Sequence, residues 1–148
     1  MSTMLENAVI VSESGNGPYA QSVMVGRHVM GADEPEALGG HDTGASPYEY
    51  LMAGLGACTA MTIRMYATRQ NWPLQKISVE LRHEKAAAVD GKSQIDRFER
   101  LIHLTGDLTN EQRGRLLVIA EKCPVSQTLQ RPSLVLTRVA DALTKTQA

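Results

Sequence analysis

The chain has 148 residues, 43% hydrophobic and 21% charged, with fifteen basic side chains against sixteen acidic ones. That length fits one domain, residues 1–148, able to bury roughly two-thirds of its unfolded surface, and the composition excludes a disordered or fibrous chain. A net charge near −1 gives no electrostatic basis for nucleic acid or an anionic membrane as partner.

The opening Met1-Ser2-Thr3-Met4-Leu5-Glu6 lacks the basic stretch and apolar run of a secretory leader, so a cytoplasmic location is expected. Residues 8–31 mix Val, Ile, Ser and Met around Gly15-Asn16-Gly17-Pro18, which predicts two strands joined by a tight turn. Asp33 to Ala45 carries Pro35, Gly39, Gly40, Asp42 and Gly44 and reads as a loop. Ser46-Pro47-Tyr48-Glu49 then supplies a capping residue, a proline for the first helical position and a glutamate three residues after the cap.

Nothing breaks the helix so begun before Asn71-Trp72-Pro73, which predicts about 26 residues, or about 39 Å. Its segment Leu51 to Ile63 has no charge, yet it is too short and too rich in Gly, Ala and Thr to cross a bilayer. The segment is apolar on every face, and Ala53, Gly54, Gly56, Ala57 and Ala60 admit another backbone closely. A helix enclosed on all sides, with help from a second subunit, is therefore expected.

Lys76 to His83 alternates Ile77, Val79 and Leu81 with Ser78, Glu80 and Arg82, the period of a strand with one wet face. Arg97 to Thr105 forms another, and the polar stretch Glu84 to Asp96, with Gly91, predicts a loose connection between them. Thr109-Asn110-Glu111-Gln112 is a second capping box, and Leu116, Ile119, Ala120 and Cys123 make one stripe of the helix that follows until Pro124 disturbs it. Ser133 to Val139 reads as a last strand. Strands and helices come in blocks, so the fold class is α+β with a largely antiparallel sheet.

Two cysteines sixty-five positions apart, Cys58 and Cys123, fit neither a CxxC motif nor a disulfide scaffold. Cys58 lies a dozen residues past the helix cap, beyond the reach of the helix dipole, so any lowering of its pKa needs a cation from elsewhere. If Pro124 opens a new helical turn, the Cys123 sulfur sits beside exposed N–H groups that favour thiolate. Glu49 has two readings, a capping acceptor or a carboxylate fixing a guanidinium, and Arg27 is either a solvent-facing strand residue or that cation. His28, His41, His83 and His103 have neither HExxH nor i,i+4 pairing, so no metal is expected.

Gly39-Gly40-His41-Asp42, Ser46-Pro47-Tyr48-Glu49-Tyr50-Leu51 and Leu55-Gly56-Ala57-Cys58-Thr59 resemble the OsmC/Ohr family of thiol-dependent peroxidases. Glu121-Lys122-Cys123-Pro124-Val125-Ser126 with Leu129 is similar to that family's second-cysteine motif. The match covers about residues 39–72 and 111–129. It implies an intertwined homodimer, an antiparallel sheet wrapped around long central helices, and two active sites at the subunit interface. By the same resemblance Cys58 is the peroxidatic thiol, Cys123 the resolving thiol, and Glu49, nine positions before Cys58, orients a catalytic arginine.

The family arginine usually lies in the loop before the helix, but Met30 to Ile63 contains none, which leaves Arg27 as the nearest upstream replacement. Arg64 is six residues past Cys58 and not stacked on its face. Thr59 stands where strongly active branches often carry an aromatic residue, so the chain resembles a less characterised OsmC-like branch. The implied function is reduction of organic hydroperoxides through a Cys58 sulfenic acid and a Cys58–Cys123 disulfide, reopened by a small thiol or dithiol, with no metal or other cofactor. The alternative is a non-catalytic dimer holding a small apolar ligand in the interface cleft.

Overall fold

The computed structural model describes residues 5–140, which divide into two compact units, 5–47 with 134–140, and Tyr48–Ser133. In the first unit three antiparallel strands, β1 (Ile10–Glu13), β2 (Gln21–Val25) and β3 (His28–Ala32), form a sheet in chain order. The expectation of two strands is thus corrected to three. Gly26, at φ 56°, turns the chain in the left-handed region, so that Val25 pairs with His28 across a two-residue connection.

The loop after β3 is organised by Asp33. Its buried carboxylate accepts from the backbone N–H groups of Glu34 (2.7 Å), His41 (3.2 Å) and Thr43 (3.1 Å) and from the Thr43 hydroxyl (2.8 Å). The Thr43 hydroxyl contributes most, and with the three N–H groups it holds the carboxyl below its ordinary value despite burial. Gly44 lets this loop lie against β3, since a Cβ there would run into the Gly31 backbone. The strand expected at Ser133–Val139 is not formed. Leu134, Val135, Leu136 and Val139 are 82–87% exposed, and no ladder among the described residues pairs their backbone.

The second unit is built on α1 (Pro47–Arg69), which is 23 residues long and begins at the predicted proline. It stops when Asn71 takes φ 57° ahead of Pro73. A long antiparallel hairpin follows, β4 (Leu74–Ala87) with β5 (Gln94–Gly106). The loose connection expected over Glu84–Asp96 is corrected to a tip at residues 88–93. Glu84 faces Arg97 and Lys85 faces Asp96 in register, with ion pairs of 3.4 and 2.9 Å, so side chains that read as loop are cross-strand partners. Asp90 closes the tip by accepting from the N–H groups of Lys92 (2.9 Å) and Ser93 (3.0 Å).

The capping box is present at α2 (Asn110–Ala120): the Gln112 N–H donates to the Thr109 hydroxyl at 3.0 Å, and the Thr109 N–H donates to the Gln112 side chain at 2.9 Å. Ile63, Ala67, Leu74, Leu108, Leu116 and Ala120 form the core where α1, β4 and α2 meet. Pro124 is the first residue of a short helix, α3 (Pro124–Leu129). Within one chain α1 is covered on one side only. Leu55, Gly56, Thr59, Ile63 and Ala67 are buried, whereas Met61 and Met65 are 59% and 57% exposed beside exposed Ala53, Gly54 and Ala57. Among the described residues no helix is long and apolar enough to cross a membrane.

Candidate active site

Cys58 lies half-buried on α1, between the exposed Ala57 and the buried Thr59. Cys123 is completely buried at the cap position of α3, where the apolar stripe of α2 delivers it. The two free thiols lie close enough to shift each other's titration, and Arg100 links their surroundings by donating to Thr59 beside one and to the Ala120 carbonyl and Ser126 beside the other. Burial pushes the Cys58 thiol up and its bond to Cys123 adds to this, while the Val125 N–H and Thr62 pull the other way; the net direction is upward. Burial also pushes Cys123 up, but the Cys58 thiol, the Ser126 N–H, the Thr59 hydroxyl and the Val125 N–H outweigh it and hold Cys123 below its ordinary value. The two thiols titrate as one system.

Arg100 was not among the candidates read from the sequence. The alternation of β5 places it on the inward face with Phe98, Ile102 and Leu104, and its side chain is 13% exposed. Its Nη1 donates to Thr59 Oγ1 at 3.0 Å and to the Ala120 carbonyl at 3.1 Å. Its Nη2 donates to Glu121 Oε1 at 3.1 Å and to Ser126 Oγ at 3.3 Å. A guanidinium in an apolar register was the available signal: a buried charge persists only with partners such as these.

Arg64 fastens the end of α1 to the start of β4, donating to the carbonyls of Leu74 (2.6 Å) and Gln75 (3.2 Å). Glu49 lies in the first turn of α1, in the second unit, and Arg27 lies in the β2–β3 turn of the first unit. Beside Arg100 a cavity of about 370 Å³ is lined by Leu55, Phe98, Ser126 and Leu129 and reaches Asp96. Asp96 belongs to a polar and aromatic cluster in which His83 stacks on Tyr48 with ring centres 4.4 Å apart and hydrogen-bonds Asp96 at 2.8 Å. Among the described residues no three His, Cys, Asp or Glu side chains converge as metal ligands.

Solved structures share this fold. An organic hydroperoxide resistance protein OsmC from Legionella pneumophila is 23% identical, with 86% of this chain and 92% of that one covered and a TM-score of 0.62. An organic hydroperoxide resistance protein from Elizabethkingia anophelis is 20% identical, covering 86% and 90%, with a TM-score of 0.61. An OsmC-like protein from Mycoplasma pneumoniae is 15% identical, covering 85% and 89%, with a TM-score of 0.66. No curated protein matches the sequence significantly. The family model described as OsmC-like protein matches residues 40–137, a span that holds α1, both cysteines and the hairpin carrying Arg100, and the chain belongs to the OsmC-like family.

Proposed function

We propose that the protein is a thiol-dependent peroxidase that reduces organic hydroperoxides. One observation carries the reading: two thiols sixty-five residues apart are brought to one place, Arg100 bonding Thr59 beside the first and Ala120 and Ser126 around the second. Two of the structural relatives are named organic hydroperoxide resistance proteins, which supports the substrate class. The Cys58 sulfur takes the distal peroxide oxygen to become sulfenic acid, and the alcohol leaves. Cys123 condenses with it to a disulfide, which a small thiol or dithiol reopens by exchange. By the family resemblance Glu49 takes the role of the carboxylate that orients a guanidinium; residues 30–63 hold no arginine for it, and Arg27, the nearest upstream, stands in as the guanidinium stabilising the departing oxygen.

The working form is a homodimer. The exposed face of α1, with Met61 and Met65 beside small residues, and the exposed run Leu134, Val135, Leu136 and Val139 are apolar surfaces that a second copy covers. Sedimentation at low micromolar concentration is expected to show a dimer that separates only on unfolding; a well-folded monomer overturns this.

Titration of free thiols before and after cumene hydroperoxide tests the activity. Two thiols per chain are expected to disappear and an intramolecular disulfide to form, more slowly in Arg27→Ala and Arg27→Lys and less so in Glu49→Gln. Persistence of both thiols overturns the peroxidase reading in favour of a protein that binds a small apolar ligand. An unchanged rate in Arg27→Ala removes Arg27 alone from the site.

A further inference from the structure

A sulfenic acid on Cys58 has two fates: it closes on Cys123, or it meets a second hydroperoxide and goes on to sulfinic acid. Which one wins depends on how firmly the fold holds Cys123 beside Cys58 before the S–S bond forms. We propose that Arg100 is the positioning residue for that closure, its guanidinium fastening the turn that bears Cys123 to the helix that bears Cys58. This rests on the peroxidase reading for the reaction it serves.

The two cysteines come from separate elements, α1 and the junction of α2 with α3, and Arg100 comes from a third, β5. On the Cys58 side it holds Thr59, whose hydroxyl accepts from Arg100 Nη1 at 3.0 Å and donates to the Leu55 carbonyl at 2.7 Å. The Thr59 oxygen is thereby fixed to the helical turn that contains Cys58. On the other side the Ala120 carbonyl accepts twice, from the Cys123 N–H at 3.2 Å and from Arg100 Nη1 at 3.1 Å. The guanidinium and the Cys123 backbone thus share one oxygen. Beyond the cysteine, Ser126 Oγ accepts from Arg100 Nη2 at 3.3 Å and from the Gln130 amide at 2.9 Å. The Gln127 amide closes the turn by donating to the Glu121 carbonyl at 2.7 Å.

Thr59, Ala120, Cys123 and Ser126 are all buried and the Arg100 side chain is 13% exposed, so water does not replace a partner lost here. Glu121 is 64% exposed and water screens its ion pair with Arg100, which leaves the buried neutral oxygens to carry the tie. A planar guanidinium suits acceptors spread over two elements, since its N–H groups point outward in a fixed fork; an ammonium has no such fork.

The closure needs no further oxidant. The Cys123 sulfur attacks the sulfenic sulfur of Cys58, the S–S bond forms, the S–O bond breaks, and the oxygen leaves as water with the Cys123 thiol proton. The Cys58 sulfur is reduced as the Cys123 sulfur is oxidised. Oxidised glutathione reaches the same disulfide by two exchanges that release two glutathione thiols and pass through no sulfenic acid.

Equilibration of the reduced protein in glutathione redox buffers, without peroxide, tests the assignment; the disulfide fraction is read by alkylation and mass spectrometry. The wild type is expected to form the Cys58–Cys123 disulfide. Arg100→Met should lower the exchange constant about tenfold, or about 30 mV. Thr59→Val should act in the same direction, and the double variant should go little further because both cut one tie. Arg100→Lys should fall between wild type and Arg100→Met. Ile102→Ala, on the same inward face of β5 but against the core, should lower stability and leave the exchange constant unchanged. With excess cumene hydroperoxide, Arg100→Met should carry several times more sulfinic acid on Cys58 than the wild type.

An unchanged exchange constant in Arg100→Met, an Ile102→Ala shift as large as that of Arg100→Met, or no Cys58–Cys123 disulfide in the wild type overturns the proposal. Should Arg100→Met not fold, Arg100→Lys and Thr59→Val decide in the same way. If the exchange constants come out as expected while hydroperoxide leaves the thiols intact, the peroxidase reading falls and the positioning role stands. If hydroperoxide consumes both thiols while the exchange constant ignores Arg100, the positioning role falls and the peroxidase reading stands.

Discussion

Cys58→Ser is expected to abolish hydroperoxide-dependent disulfide formation. Cys58 is the half-exposed thiol of the pair and its partner Cys123 is fully enclosed, so no other thiol among the described residues is open to the peroxide. Cys123→Ser should behave differently. It removes the resolving sulfur and leaves the attacking one in place, so the first oxidation should still proceed. It should then stop after one equivalent of peroxide, with Cys58 held as a sulfenic acid that dimedone traps and mass spectrometry locates. Wild-type peroxide consumption by Cys58→Ser would exclude the mechanism, and a dimedone adduct on Cys123 in the wild type would reverse the order of the two thiols.

Leu116→Ala is expected to lower the stability of the fold by about 2–5 kcal/mol, a large part of the ~5–15 kcal/mol that holds a typical domain together. Leu116 has no exposed surface and packs with Ile63 and Ala67 of α1 and with Leu74 and Leu108, where closely packed neighbours collapse only partly into a void. The effect should reach the site as well, because α2 presents the Ala120 carbonyl to Arg100 and leads directly to Cys123. Urea unfolding compared at equal chain concentration measures it: the midpoint should fall with an unchanged slope. A change below about 1 kcal/mol would mean that Leu116 is not at the centre of the core.

Local chemistry in the sequence determined much of this protein. The proline at the first position of α1, the Thr109–Gln112 capping box and the alternation of Ile77, Val79 and Leu81 each act within a few residues, so each was legible without the fold. The same is true of Cys123-Pro124, where the proline both ends one helix and starts the next. The two cysteine motifs carried the family.

Long-range pairing decided the rest. The ends of β4 and β5 look like loop because their charges find partners only across the hairpin, as Glu84 does with Arg97. Residues 133–139 have the composition of a strand, but a strand exists only beside another backbone, and none of the described residues supplies one. Arg100 is one more polar letter in a strand until burial removes water from its guanidinium and leaves Thr59, Ala120, Glu121 and Ser126 to replace it.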